Sequence, residues 1–95
     1  MVIAQDDQQV DLPGELDLTG GDELEARVAP RLTRGARVTI GLEGVTFADS
    51  SGLGALLALQ ETARENGAEL ILRGPSQSVL RVMEITAITD QFTIV

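Results

Sequence analysis

The segment Phe47-Ala48-Asp49-Ser50-Ser51-Gly52-Leu53-Gly54 sets two hydroxyls beside a carboxylate, where an apolar strand-like run gives way to an apolar helical one. Such a junction presents free backbone N–H groups and the positive end of the helix dipole. A phosphate bonded to a side chain there is accommodated rather than repelled. Ser50 is therefore the candidate for a reversible modification, with Asp49, Ser51 and Gly52 as its loop neighbours. From residue type alone, a plain helix cap or turn is the competing role for this serine.

Other chemistry is scarce. The chain has no histidine, cysteine or lysine. General base catalysis by imidazole, thiol attack and Schiff-base formation are all removed. Asp17 and Asp49 are a possible carboxylate pair, but a domain of 95 residues offers little cleft for a sugar. Gly41-Leu42-Glu43-Gly44 and Gly52-Leu53-Gly54 lack the lysine of a phosphate-binding P-loop, so turn and packing roles suit them better. Asp22, Glu23 and Glu25 fit a helix's first turn better than a hard-cation site. No cofactor, no metal and no enzymatic activity are expected.

Composition narrows the partners. Seven basic residues, all arginine, stand against fifteen acids, for a net charge of -8. Nucleic-acid affinity depends on cationic contacts to phosphates, so direct nucleic-acid binding is not expected. Nor is membrane insertion, because no apolar run reaches the roughly 18 residues of a span. The N-terminal residues turn polar at Gln5-Asp6 and show no charged-then-apolar leader, which predicts a cytoplasmic protein. Acidity on this scale favours solubility and basic protein partners.

The elements that must hold Ser50 follow from periodicity. Gln8 to Pro13 reads as a weak edge strand, continued by Gly14-Glu15-Leu16-Asp17 towards a turn at Gly20-Gly21. Asp22 is placed as the cap of a helix carrying Leu24, Val28 and Leu32, kinked or shortened by Pro30 and ended by Gly35. Arg37–Glu43 alternates as a strand, with Val38, Ile40 and Leu42 on one face. A helix spans about Gly52 to Asn66, with Leu53, Leu56, Leu57 and Ala63 inward, Leu59 flanking and Gly67 as its C-terminal cap. Ala68–Arg73 is a further strand. Ser76 caps a helix carrying Val79, Leu80, Met83 and Ile85, and 91–95 ends β-rich. This β-α-β-α-β-α-β order predicts a small α/β fold with a mixed, mostly parallel sheet and helices mainly on one face.

Gly14-Glu15-Leu16-Asp17, the strand Val38 to Glu43 and above all Phe47-Ala48-Asp49-Ser50-Ser51-Gly52-Leu53-Gly54 together resemble the STAS domain, as found in bacterial anti-sigma factor antagonists. Arg73-Gly74-Pro75-Ser76 followed by Val79-Leu80-Arg81-Val82 stands where that family has a short helix. The likeness spans Val10 to the C-terminus. It implies a single domain over 1–95 with a short first strand and without the further C-terminal helix of relatives. It also implies that Ser50 is phosphorylated by an anti-sigma factor that is itself a serine kinase of the histidine-kinase-like ATPase type. The unmodified antagonist binds that factor and frees a sigma factor, and a PP2C-type phosphatase restores the unmodified state. Asp17 and Asp49 match the family's acidic residues beside the loop. Partner contact is then expected over Asp17, Ser50 and Ser51 and along the outer face of the following helix at Gln60, Glu61 and Arg64. An alternative from the same likeness is an accessory or scaffold subunit of a transporter or stress-signalling assembly.

Overall fold

In the computed structural model, which describes residues 6–95, the strands are β1 (Asp6–Asp11), β2 (Gly14–Leu16), β3 (Ala36–Gly41), β4 (Val45–Ala48), β5 (Glu69–Arg73) and β6 (Thr93–Ile94). The helices are α1 (Leu18–Val28), α2 (Ser50–Asn66) and α3 (Gln77–Ile85). Four strands make one sheet in the order β1-β3-β5-β6, and β2 and β4 make a separate pair. All pairings among the described residues are parallel, so the mixed character expected from the sequence is not seen there.

Period-two patterning explains the main sheet. Ala36, Val38 and Ile40 of β3 and Leu70 and Leu72 of β5 are buried, with half-buried or exposed residues between them. Val38, Ile40, Leu70 and Leu72 join Leu24 and Val28 of α1 and Leu53, Leu56 and Leu59 of α2 in one apolar cluster. Burial of each such side chain is worth about 1.5–3 kcal/mol relative to exposure. The other face is mostly polar, with Ile71 half-buried on it. Asp7, Arg37 and Glu69 stand in one cross-strand row, where Arg37 Nε donates to Glu69 at 2.9 Å. Helices therefore gather on the apolar face, as the patterning predicts.

Several boundaries depart from the sequence reading. The expected first strand splits, because β1 belongs to the main sheet and Gly14–Leu16 pairs with β4 instead. Likewise the strand expected over 37–43 ends at Gly41, and Val45–Ala48 forms a strand of its own after a turn at Glu43-Gly44. Pro30 does shorten α1: the helix stops at Val28 and a 3-10 turn covers Ala29–Arg31. Residues 1–5, on which the expected shortness of the first strand bears, lie outside the described residues.

Inside α2 the inward face is Leu53, Ala55, Leu56, Leu59 and Ala63. Leu57, expected inward, is only partly buried at the edge of the core, and Leu59, expected to flank, is buried. A stripe of about 100° per residue places position 59 three residues after Leu56 and turns 57 sideways. Ile85, expected on the inner face of α3, is 76% exposed, because at about 100° per residue it points away from the buried Val79 and Met83. Ser76 does cap α3, accepting from Val79 N–H at 3.3 Å, and Gly67 closes α2 at φ 74°.

Candidate functional site

Both short strands hand over directly to helices, and they do so side by side. Leu16 of β2 is paired with Ala48 of β4, and Asp49 N–H donates to Leu16 O at 3.2 Å. One residue later each chain segment turns into a helix through an aspartate. Asp17 Oδ1 accepts from Gly20 N–H at 2.8 Å, and Asp49 Oδ1 accepts from Gly52 N–H at 3.1 Å. Each satisfies one of the first-turn donors that a helix leaves unpaired. Asp17, not Asp22, is thus the cap of α1, and Gly20-Gly21 lies inside the helix rather than in a turn.

The glycines that follow are demanded by packing. A Cβ at Gly20 would overlap the carbonyl oxygen of Glu15, and one at Gly52 would overlap that of Leu16. A Cβ at Gly21 would come within 2.9 Å of Ala55 Cβ and 3.4 Å of Gly52 Cα. The two first turns therefore press against β2 and against each other. Glycine is a poor helix former, so the sequence pattern alone points to a turn at Gly20-Gly21. The readable signal was the repeat: Asp17-x-x-Gly20 and Asp49-x-x-Gly52 share one spacing.

Because Asp49 holds the capping bond, Ser50 has no such role. It is the first helical residue of α2, it is exposed, and among the described residues no hydrogen bond involves its Oγ. Ser51 is also exposed, and its carbonyl oxygen faces Gly21 across the helix–helix seam. Asp17 and Asp49 are half-buried and Gly52 is buried. Asp17, Asp49, Ser50, Ser51 and Gly52 are thereby gathered at one end of the molecule.

Gln60, Glu61 and Arg64 are not part of that cluster. At 1.5 Å per residue they lie about 15–21 Å farther along α2. Gln60 Nε2 donates to Gln91 O at 2.6 Å, and Glu61 is bonded to Arg64 at 2.7 Å. They continue the helix that starts at Ser50, but local bonds already engage them.

Sequence reading missed the apolar side chains at the serine end. Phe47 is 49% exposed and Leu18 is 64% exposed. It also missed a charge cluster elsewhere, at the C-terminal ends of β1, β3 and β5. Arg73 donates to Asp11 at 2.7 Å and to Glu43 at 2.8 Å, and it also bonds Gln9. Its side chain fills the space over Gly41, where a Cβ would strike it. The bond from Arg73 holds the Glu43 carboxyl below its ordinary value, and Glu43 and Asp11 hold the guanidinium above its own. Among the described residues no group of His, Cys, Asp or Glu could hold a metal ion, and no helix is long and apolar enough to cross a membrane.

Known proteins share this architecture. The family model described as "Mlab, STAS domain" matches residues 1–95. An anti-sigma-B factor antagonist of Bacillus subtilis is 30% identical over 86 residues, covering 90% of this chain and 79% of that protein. Its counterpart in Staphylococcus aureus is 35% identical over 83 residues, covering 86% and 77%. Among solved structures, the unphosphorylated anti-sigma factor antagonist SpoIIAA superimposes with a TM-score of 0.76 at 23% identity, over 100% of this chain and 84% of that one. A sulfate transporter family protein from Wolinella succinogenes reaches the same TM-score at 18% identity, over 99% and 80%. At those identities the two structures speak to the fold alone.

Proposed function

The chain belongs to the STAS domain family, and from that premise we propose that it is an anti-sigma factor antagonist switched by phosphorylation of Ser50. In this reading the unmodified protein binds an anti-sigma factor and thereby frees a sigma factor. The anti-sigma factor is also the serine kinase, of the histidine-kinase-like ATPase type, and a PP2C-type phosphatase reverses its action. The observation that carries the reading is the exposed Ser50 hydroxyl at the first position of α2, without a hydrogen bond among the described residues, with the capping duty held by Asp49.

The chemistry of the switch is local. A phosphoserine adds about -1.5 to -2 charges near neutral pH. At the start of α2 the unpaired first-turn N–H groups and the helix dipole tolerate that charge, so the fold survives. A partner surface matched to a neutral hydroxyl does not, and Asp17 and Asp49 add like charge beside it. Binding is thus lost at the interface with no rearrangement inside the domain. Asp17, Ser50 and Ser51 form the centre of the docking surface, and Gln60, Glu61 and Arg64 its far end along α2.

A transport accessory role draws on the Wolinella likeness, but the anti-sigma factor antagonists share more sequence with this chain over most of its length. The test is phosphorylation with Mg-ATP by the anti-sigma factor kinase of the same genome, read by mass spectrometry. One phosphate is expected, at Ser50, and none on Ser50→Ala. Phosphate that persists on Ser50→Ala moves the site elsewhere and ends this reading of α2. Ser50→Asp is expected to weaken partner binding by about 2–5 kcal/mol while shifting folding stability by no more than about 1 kcal/mol.

A further inference from the structure

Four large apolar side chains are exposed among the described residues: Leu18, Phe47, Ile85 and Val95. Ile85 closes α3 and Val95 is the last residue. Leu18 and Phe47 have a different setting. Phe47 stands opposite Glu15 in the β2–β4 pair, and both face solvent, whereas the next pair, Leu16 and Ala48, is buried. Leu18 is the first residue of α1, the position that Ser50 holds in the adjoining helix. Register and packing thus bring one aromatic and one aliphatic side chain, both in water, to the end of the molecule that presents Ser50.

Charge at this end is mostly acidic. Glu15, Asp17 and Glu23 line one groove beside the start of α1 together with a single arginine, Arg27, and Asp49, whose N–H donates to Leu16 O, caps the adjoining helix. An apolar centre with a charged rim is the anatomy of a protein interface, and aromatic anchors dominate the affinity of such surfaces. A second copy of this chain would bring acid against acid, and an anionic membrane would do the same.

We propose that Leu18 and Phe47 are the apolar anchors by which the Ser50 end docks on its partner, an anti-sigma factor presenting a basic face with an apolar recess. The proposal rests on the function read above and adds the residues that supply its affinity. It also gives the phosphate a second target. A charge at Ser50 falls at the same end as carboxylates and anchors that must be desolvated together, so it penalises the apolar contact as well as the polar one.

The experiment titrates the full chain against each histidine-kinase-like anti-sigma factor of the same genome, purified singly, at low and high salt. Leu18→Ala and Phe47→Ala are each expected to weaken binding tenfold or more at wild-type melting temperature. Phe47→Leu should recover part of the loss, and Ile85→Ala should bind as wild type. Raising salt should weaken the wild-type complex, since the rim charges act across it. If Leu18→Ala and Phe47→Ala bind within twofold of wild type while Ser50→Asp is lost, the anchors are wrong and the switch stands. Self-association of the wild-type chain that Phe47→Ala abolishes would overturn the choice of partner. Failure of every anti-sigma factor to bind wild type overturns the function reading and this one with it.

Discussion

At Asp17 the chain leaves β2 for α1, and at Asp49 it leaves β4 for α2. The two junctions share their strand pairing, their aspartate cap and a glycine three residues on. They differ at the first helical residue, which is Leu18 in one and Ser50 in the other. The shared parts do structural work: the carboxylates satisfy helix donors, and the glycines let both first turns press on β2. The chemistry lies in what is not shared. Among the described residues, a hydroxyl with no hydrogen bond of its own sits at one junction and an exposed leucine at the other, and on the proposed reading the first is the switch and the second the anchor.

The sharpest way to break this comparison is to fill the glycine seam. Gly52→Ala should destabilise the fold by about 3 kcal/mol, since its Cβ overlaps the Leu16 carbonyl and rigid backbone cannot give way. Gly54→Ala, two residues on and facing open space, should be neutral or stabilise by up to about 1 kcal/mol. Chemical denaturation of both variants decides it. Equal stability would mean that the close approach of α2 to β2 is not what position 52 requires.

A smaller effect separates capping from recognition. Asp17→Ala and Asp49→Ala should each cost about 1 kcal/mol through the lost cap. Asp17→Asn and Asp49→Asn should keep that stability, because asparagine caps as well. Partner affinity that falls in the Asn variants then belongs to the carboxylate charge. If the Asn variants are as unstable as the Ala variants, the carboxylates act through something other than the cap.

The smallest effect lies away from both junctions. Glu43 has a depressed pKa because Arg73 bonds its charged form. A depressed carboxylate lends stability above its unfolded value and loses it as pH falls through the lower folded value. Acid melting should therefore show this contribution intact at neutral pH and fading only below the ordinary glutamate value of 4.5. Glu43→Gln should flatten that part of the profile, with Ser50-dependent binding at neutral pH unchanged. A pH dependence identical to wild type would show that the Arg73 bond is not coupled to folding.

The spacing of apolar residues was enough to read the central strands β3 and β5 and the existence of the three helices, though not every boundary. Alternation in Val38-Thr39-Ile40, the short apolar run Leu70-Ile71-Leu72, and the stripe through Leu53, Leu56 and Ala63 are local signals that survive folding because burial rewards them where they stand. The Asp49-Ser50-Ser51-Gly52 segment was legible as a strand-to-helix junction, but the helix begins at Ser50 rather than near Gly52 and its cap is Asp49, which the sequence reading did not assign. What the sequence by itself did not decide was pairing. Gly14–Leu16 and Val45–Ala48 are too short to declare themselves as strands, and only their mutual register separates them from the main sheet. That register puts Asp17 beside Asp49, makes Gly20 and Gly21 packing residues, and leaves Leu18 and Phe47 in water next to Ser50. Contacts across some thirty residues of chain carry no local periodicity, so the tertiary structure alone could bring them together.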